Sequence, residues 1–270
     1  MKFGDYQDAM SDNIEFGFHS RISFALNTKM LSPLEVVEKA EAKYKSGDAG
    51  IDISQVEGFI RQILGWREYM RSFYWVKMPG FAKTNFFDHD KQLPKFYWDA
   101  DTKMNCLKNC IQNSLDNAYA HHIQRLMITG NFALMAEVHP DEVDAWYLGI
   151  YVDAIEWVEI TNTRGMSQWA DGGGIATKPY ISSANYVNKM SDYCKNCHYD
   201  FKSKYKKDGD KKEPCPFNSF YWDFLDKHKD KLANNMRMSM VYRVWDKMNV
   251  EEQKKILAQA KTYKKDLHNL

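Results

Sequence analysis

The sequence predicts a mainly helical protein, and three observations carry that expectation. Glycine (14) and proline (7) are scarce in 270 residues, well below the roughly 12% that the two types average together. Between 54 and 77, Val56, Phe59, Ile60, Ile63, Leu64 and Tyr69 recur every three to four residues, the period of one helical face. No segment shows sustained alternation of polar and apolar residues, the mark of a half-buried strand. Neither an internal repeat nor a composition shift marks a linker, so one mainly helical domain is expected.

Taken in order, Ser32-Pro33 opens a helix expected over 30–46, with proline at the first helical position. A long amphipathic helix is expected over 54–77. Gly80, Pro94 and mixed polarity make 81–97 a loop with short pieces. Helical spacing returns from Asn105 to Ile128, and Thr129-Gly130-Asn131 reads as its stop. Pro140-Asp141-Glu142 starts a helix expected to reach Glu159. Gly165 and the run Gly172-Gly173-Gly174 make 161–179 loop-like. Further helices are expected over 184–193 and 216–232, with a last pair over 236–265. The lysine-rich run 202–212 reads as a solvated surface insertion.

Charge and composition narrow the function. With 37 basic and 36 acidic side chains the net charge is +1, which excludes a globally basic nucleic-acid binder and leaves room for a local patch. An aromatic content of 14% excludes disorder. No stretch of about 18 apolar residues is present, so no membrane span is expected. The first residues carry no hydrophobic signal core, which makes the cytoplasm the expected location.

Five cysteines in such a chain argue against a disulfide framework. Cys194 and Cys197 form a CxxC pair, and Cys215 follows, so three thiols come within reach of one metal centre. The fourth ligand would come from upstream, where Cys106 and Cys110 are available. Thiolate coordination suits zinc or an iron–sulfur cluster, and spacing does not choose between them. The run Cys194 to His198 also matches covalent haem attachment, which normally requires export. Buried, unligated cysteines are the plain alternative.

Several segments together carry a resemblance: HSRIS (19–23), LSP (31–33), EGFIRQILGWREYMR (57–71), MNCL (104–107), AHHIQRLMITGNFAL (120–134), DEVDAWYLGIYVDAIEWVE (141–159), NTRGMSQWADGGG (162–174) and TKPYISSANYVNKMSDYCKNC (177–197). They resemble the flavin-binding helical domain of the photolyase/cryptochrome superfamily, and more narrowly the iron–sulfur bacterial cryptochromes and photolyases. The resemblance implies an all-helical FAD-binding domain with a cysteine-ligated cluster near its C-terminal part. It makes 1–270 the catalytic helical domain, without the α/β antenna domain that opens the family's chains.

The resemblance also implies roles for particular residues. His19, Ser20, Arg21, Ile22 and Ser23 fall where the family has its phosphate-binding turn, and hydroxyls, amides and a guanidinium suit a pyrophosphate. Tyr6, Trp66 and Arg67 fall on further flavin contacts, and Gln62 would face a lesion. Asp153 and Glu159 lie on the segment that passes the isoalloxazine ring, where a carboxyl near N5 controls its protonation. Trp98, Trp146 and Tyr147 match electron-hopping positions. His122 takes the place of the histidine that handles a proton during repair, a task its ordinary pKa suits. His121 precedes it, and because consecutive helical residues point about 100° apart, only one is expected to act directly. Tyr180 and Tyr186 match positions near the lesion, and Lys178 and Arg125 would contact phosphates. Cys106, Cys194, Cys197 and Cys215 would hold a 4Fe-4S cluster, leaving Cys110 spare.

The implied activity is light-driven repair of pyrimidine (6-4) photoproducts by a carbon–carbon lyase. Photoexcited reduced FAD passes an electron to a flipped lesion in UV-damaged DNA. No obligate protein partner is implied. A cryptochrome-type photoreceptor on the same scaffold is the runner-up, and a metal-stabilised nucleic-acid module without flavin is the third reading.

Overall fold

The computed structural model of the chain describes residues 3–47 and 50–270. Helix dominates them, and none of these helices is long and apolar enough to cross a membrane. The one sheet among them is a parallel pair of two-residue strands, Tyr199–Asp200 and Glu213–Pro214, with Tyr199 opposite Glu213. The lysine-rich run connects the two, and it is tethered. Lys204 pairs with Glu252 at 3.1 Å, Lys206 with Glu213 at 2.8 Å, and Lys212 Nζ donates to the Cys197 carbonyl at 2.7 Å.

The amphipathic stretch forms as expected, opened by Asp52, whose side chain accepts from the Gln55 N–H at 3.0 Å. It runs as α-helix over Ile53–Ile63, widens to a π-helix over Leu64–Tyr69, and closes as α-helix over Met70–Lys77. Apolar spacing of three to four cannot reveal the wide turn. Asn105–Asn117 is helical, and Ala118 ends it in the left-handed region at φ 47°. A second helix then runs as π over Gln124–Gly130 and as α over Asn131–Met135.

The expected stop at Thr129-Gly130-Asn131 is therefore wrong. Gly130 sits inside the helix at φ −66° and serves a close approach instead. A Cβ there would collide with Ser167 Oγ and lie 2.7 Å from the Arg125 carbonyl oxygen. Gly165 misleads in the same way, because a Cβ there would run into the Ile175 side chain. The stretch read as a loop from 161 opens as a π-helix over Thr161–Ser167, continuous with Glu156–Ile160. The helix expected to reach Glu159 breaks after Pro140–Ile150. Replacing Gly130 with Ala should cost about 1–3 kcal/mol by overpacking. An unchanged thermal midpoint would refute the close-approach account.

The C-terminal helices Pro216–Lys227 and Val250–Lys265 pack together. Phe96, Tyr97, Phe132, Trp146, Phe217 and Phe220 form a fully buried aromatic core beneath them. Glu137 fastens the core's edge, pairing with Lys264 at 2.7 Å, Lys227 at 2.9 Å and Lys91 at 3.2 Å. On the other side of the core, the Gln124–Gly130 and Thr161–Ser167 π-helices pack against each other. A π turn inserts one extra residue and re-aims the side chains beyond it, and such turns gather at functional sites.

Candidate flavin and lesion site

All three π-helices contribute to the wall of one cavity of about 360 Å³, a volume in the range of small-molecule sites. The His19–Ser23 turn supplies one side, with Arg21 at φ 55°. Gln62, Trp66 and Arg67 supply a second, and His121, His122 and Arg125 a third. Asp153, Glu159 and Asn162 close it, with Tyr147 behind.

A chain of charged and amide groups frames this space. Arg125 grips Asp153 with both terminal nitrogens, at 3.0 and 3.3 Å. Ser23 Oγ donates to Asp153 Oδ2 at 2.7 Å, and Asn27 Nδ2 donates to the Asp153 carbonyl at 2.6 Å. Asn27 Oδ1 in turn accepts from Arg67 Nη1 at 2.6 Å. Both carboxylate oxygens of Asp153 are thus committed to protein groups, so its part is to fix the frame. Burial alone would lower the Arg125 guanidinium, but Asp153 and Tyr151 outweigh it and hold the charge.

Three polar atoms on the wall are buried and unpartnered: Arg67 Nε, His121 Nδ1 and Asn162 Oδ1. Buried polar groups are rarely left so, and all three belong to side chains that line the cavity. Asn162 and Asn27 were missed from the sequence; the partners of Asn27, Asp153 and Arg67, come from distant parts of the chain.

Both histidines line the cavity, contrary to the one-faced expectation. Helical geometry does not govern the pair, because His121 still belongs to the unwound stretch that follows Ala118. His121 stacks on His19 with centroids 4.8 Å apart and planes 11° off parallel. His122 lies 4.5 Å from the Trp66 ring. Burial, then the neighbouring His19, pushes His121 down to about 3. Burial, then Arg125, pushes His122 down to about 4. Both imidazoles are neutral at physiological pH, each with one donor and one acceptor nitrogen.

Glu159 is buried and accepts from Thr163 Oγ1. Burial, then the nearby Asp144 carboxyl, lifts its pKa well above the carboxylate range. Asp144 is itself raised to about 7 by burial, against the pull of Arg164. Burial and the Asp144 carboxyl thus favour the protonated form of Glu159 on the cavity wall.

The aromatic positions divide. Tyr147 lines the cavity, its hydroxyl donating to the Arg125 carbonyl at 2.6 Å. Trp146 sits 5.4 Å behind it, and Tyr97 a further 5.2 Å on. Tyr97, which sequence reading missed, precedes Trp98, 60% exposed at the surface. Tyr6 is exposed and leans on Phe18, while Tyr180 and Tyr186 are half-buried and Lys178 exposed, all off the cavity wall.

Cys106, Cys194, Cys197 and Cys215 surround a second, small cavity with Tyr193 and Phe217. Cys110 stands outside it, directing its thiol to the Tyr193 hydroxyl at 3.8 Å. Of the two upstream candidates, Cys106 is thus the one grouped with the trio. Burial and the neighbouring thiols push Cys194 up to about 11 and raise Cys106 and Cys215 further. Among the described residues no group of three or more His, Cys, Asp or Glu side chains is disposed to hold a metal ion.

No family model matches the chain. Over 265 residues, 98% of its length, it is 49% identical to the (6-4) photolyase of Agrobacterium fabrum. The chain is thus similar to that photolyase along almost its entire length. It spans about half of that relative, 51% of its length. Two uncharacterized proteins of Acanthamoeba polyphaga mimivirus match shorter parts of this photolyase-like chain. One is 29% identical over 47% of the chain and 90% of its own length. The other is 32% identical over 36% of the chain and 73% of its own length.

Proposed function

We propose that the chain repairs pyrimidine (6-4) photoproducts in UV-damaged DNA by light, using FAD in the larger cavity. The observation that carries this reading is the match to a (6-4) photolyase along 98% of the chain, which takes in nearly the whole cavity wall.

The residues present fit FAD. The cavity is ligand-sized and carries three buried polar atoms without partners. Ser20, Arg21 and Ser23 would hold the pyrophosphate, and Trp66, Arg67 and Asn162 would border the flavin. FAD, when bound and reduced, supplies the electron on excitation. The protein's own part is positioning and proton control. Protonated Glu159 offers a hydrogen-bond donor to the flavin side. Neutral His121 and His122 can each accept a proton at one nitrogen and release one from the other. DNA phosphates arriving at the cavity mouth favour the imidazolium form, because a nearby anion raises a histidine pKa.

The four grouped thiols fit a 4Fe-4S cluster held by Cys106, Cys194, Cys197 and Cys215. They share one cavity, and four cysteine thiolates are the usual ligand set of such a cluster.

The deciding experiment gives the FAD-loaded, reduced protein an oligonucleotide with one (6-4) lesion, in light and in darkness. Restored thymines are expected in light only. No restoration in light, with FAD bound, would overturn the repair reading and leave the photoreceptor.

A further inference from the structure

A short run of hydrogen bonds joins the two cavities. The His121 main-chain N–H donates to Gln124 Oε1 at 3.1 Å. Gln124 Nε2 donates to the Tyr193 hydroxyl at 3.3 Å. A main-chain N–H can only donate, so it fixes which end of the amide faces His121 and which faces Tyr193. Gln124 is 3% exposed and Tyr193 1%, so neither bond competes with water.

Tyr193 belongs to the thiol cavity. Its ring lines that cavity, and it precedes Cys194 in the chain. Its carbonyl accepts from Asn105 Nδ2 at 2.9 Å, and Asn105 precedes Cys106. One tyrosine thus touches two of the three segments that bring cysteines to the small cavity and, through one amide, the turn that carries the histidine pair. The Ala120 carbonyl of that turn is held by Arg125 Nε at 2.7 Å, but Arg125 leads to Asp153 and not to the thiols.

We propose that Gln124 and Tyr193 are positioning residues that make the His121–His122 turn respond to what fills the four-thiol cavity. The inference rests on the cluster reading of the four cysteines. A filled cavity braces the Tyr193 ring, and the braced hydroxyl holds the Gln124 amide against His121. An empty cavity leaves the ring room to move and takes the amide with it. The two states differ in contacts at the histidine turn, which is what coupling between sites requires.

The test measures iron content and the ring resonances of His121 and His122 by NMR, in the wild type and in Tyr193→Phe. That variant keeps the ring and loses only the hydroxyl. In the wild type, stripping iron with a chelator should shift both histidines. Tyr193→Phe should keep its iron, show the histidines already displaced, and not respond to stripping. Its repair kcat should fall about five-fold with KM unchanged, the factor one hydrogen bond is worth, and Gln124→Met should behave alike. Wild-type histidines that ignore stripping, or a Tyr193→Phe response equal to the wild type's, would overturn the coupling. A protein purified without iron would end the cluster reading instead. Tyr193→Phe alone then judges the link, and unmoved histidines refute it.

Discussion

Replacing Asp153 with Ala is expected to remove about 3–5 kcal/mol of stability, the cost of leaving a buried charge without its partner. Arg125 would keep its place, stacked 3.7 Å over Tyr151 and bonded to the Ala120 carbonyl at 2.7 Å, but without a counter-charge. Ser23 would lose its acceptor, whereas Asn27 would keep the main-chain carbonyl of residue 153 and its hold on Arg67. Domain stabilities are only about 5–15 kcal/mol, so at least about a fifth of the total is at stake. The double replacement Arg125→Met with Asp153→Leu separates the pair's net worth from the penalty of breaking it. Removing both charges should cost far less than removing Asp153 alone, because no charge stays buried. Urea denaturation of both variants reads this directly. A double variant at least as unstable as Asp153→Ala would show that packing, not electrostatics, holds the frame.

The frame also shows what the sequence could and could not disclose. The His19–Ser23 turn, Trp66, Arg67, Asp153 and Glu159 were legible because motif resemblance identifies residues one at a time, and all of them reach the cavity. Partnership was not legible. Asp153 read as a flavin-side carboxylate until Arg125, 28 residues away, was found to occupy it. Asn27 and Asn162 carry no local signal, since an asparagine's role lies in what its amide meets. The glycines misled for a physical reason: a glycine needed for backbone freedom and one needed for close approach look identical in sequence. Gly130 and Gly165 are of the second kind, so helices continue where stops were expected. The π turns were invisible because one inserted residue changes the phase of a helical face without changing its composition. Both histidines reach the cavity for a related reason, an unwinding at Ala118 that no side chain announces.

Those histidines, with a second buried pair, should make the ligand-free chain acid-labile. His89 and His228 are buried with their Nε2 atoms 3.3 Å apart. Burial, then the neighbouring His228, pushes His89 down to about 3, and burial, then Lys227, pushes His228 down to about 4. With His121 and His122, four imidazoles stay neutral in the fold and take up protons near 6.5 once unfolded. Below that pH the unfolded chain binds more protons, so each histidine lowers stability by about 1.4 kcal/mol per pH unit. Asp144 and Glu159 oppose them, because raised carboxyl pKa values let the fold keep protons that the unfolded chain releases. Between about pH 6.5 and 4.5 the two carboxyls offset two of the four histidines. The net slope there is about 2.7 kcal/mol per pH unit. Below about 4.5 the unfolded carboxyls protonate as well and the offset fades, but His122 and His228 take up protons in the fold near 4, so the slope does not steepen. Roughly 5 kcal/mol is lost by pH 4.5, enough to exhaust an ordinary domain. Cooperative loss of helix by circular dichroism is therefore expected between about pH 5 and 4. Replacing His89 with Asn should reduce the slope by about one proton's share. Helix that survives intact at about pH 3.5 would mean that these imidazoles are charged in the fold.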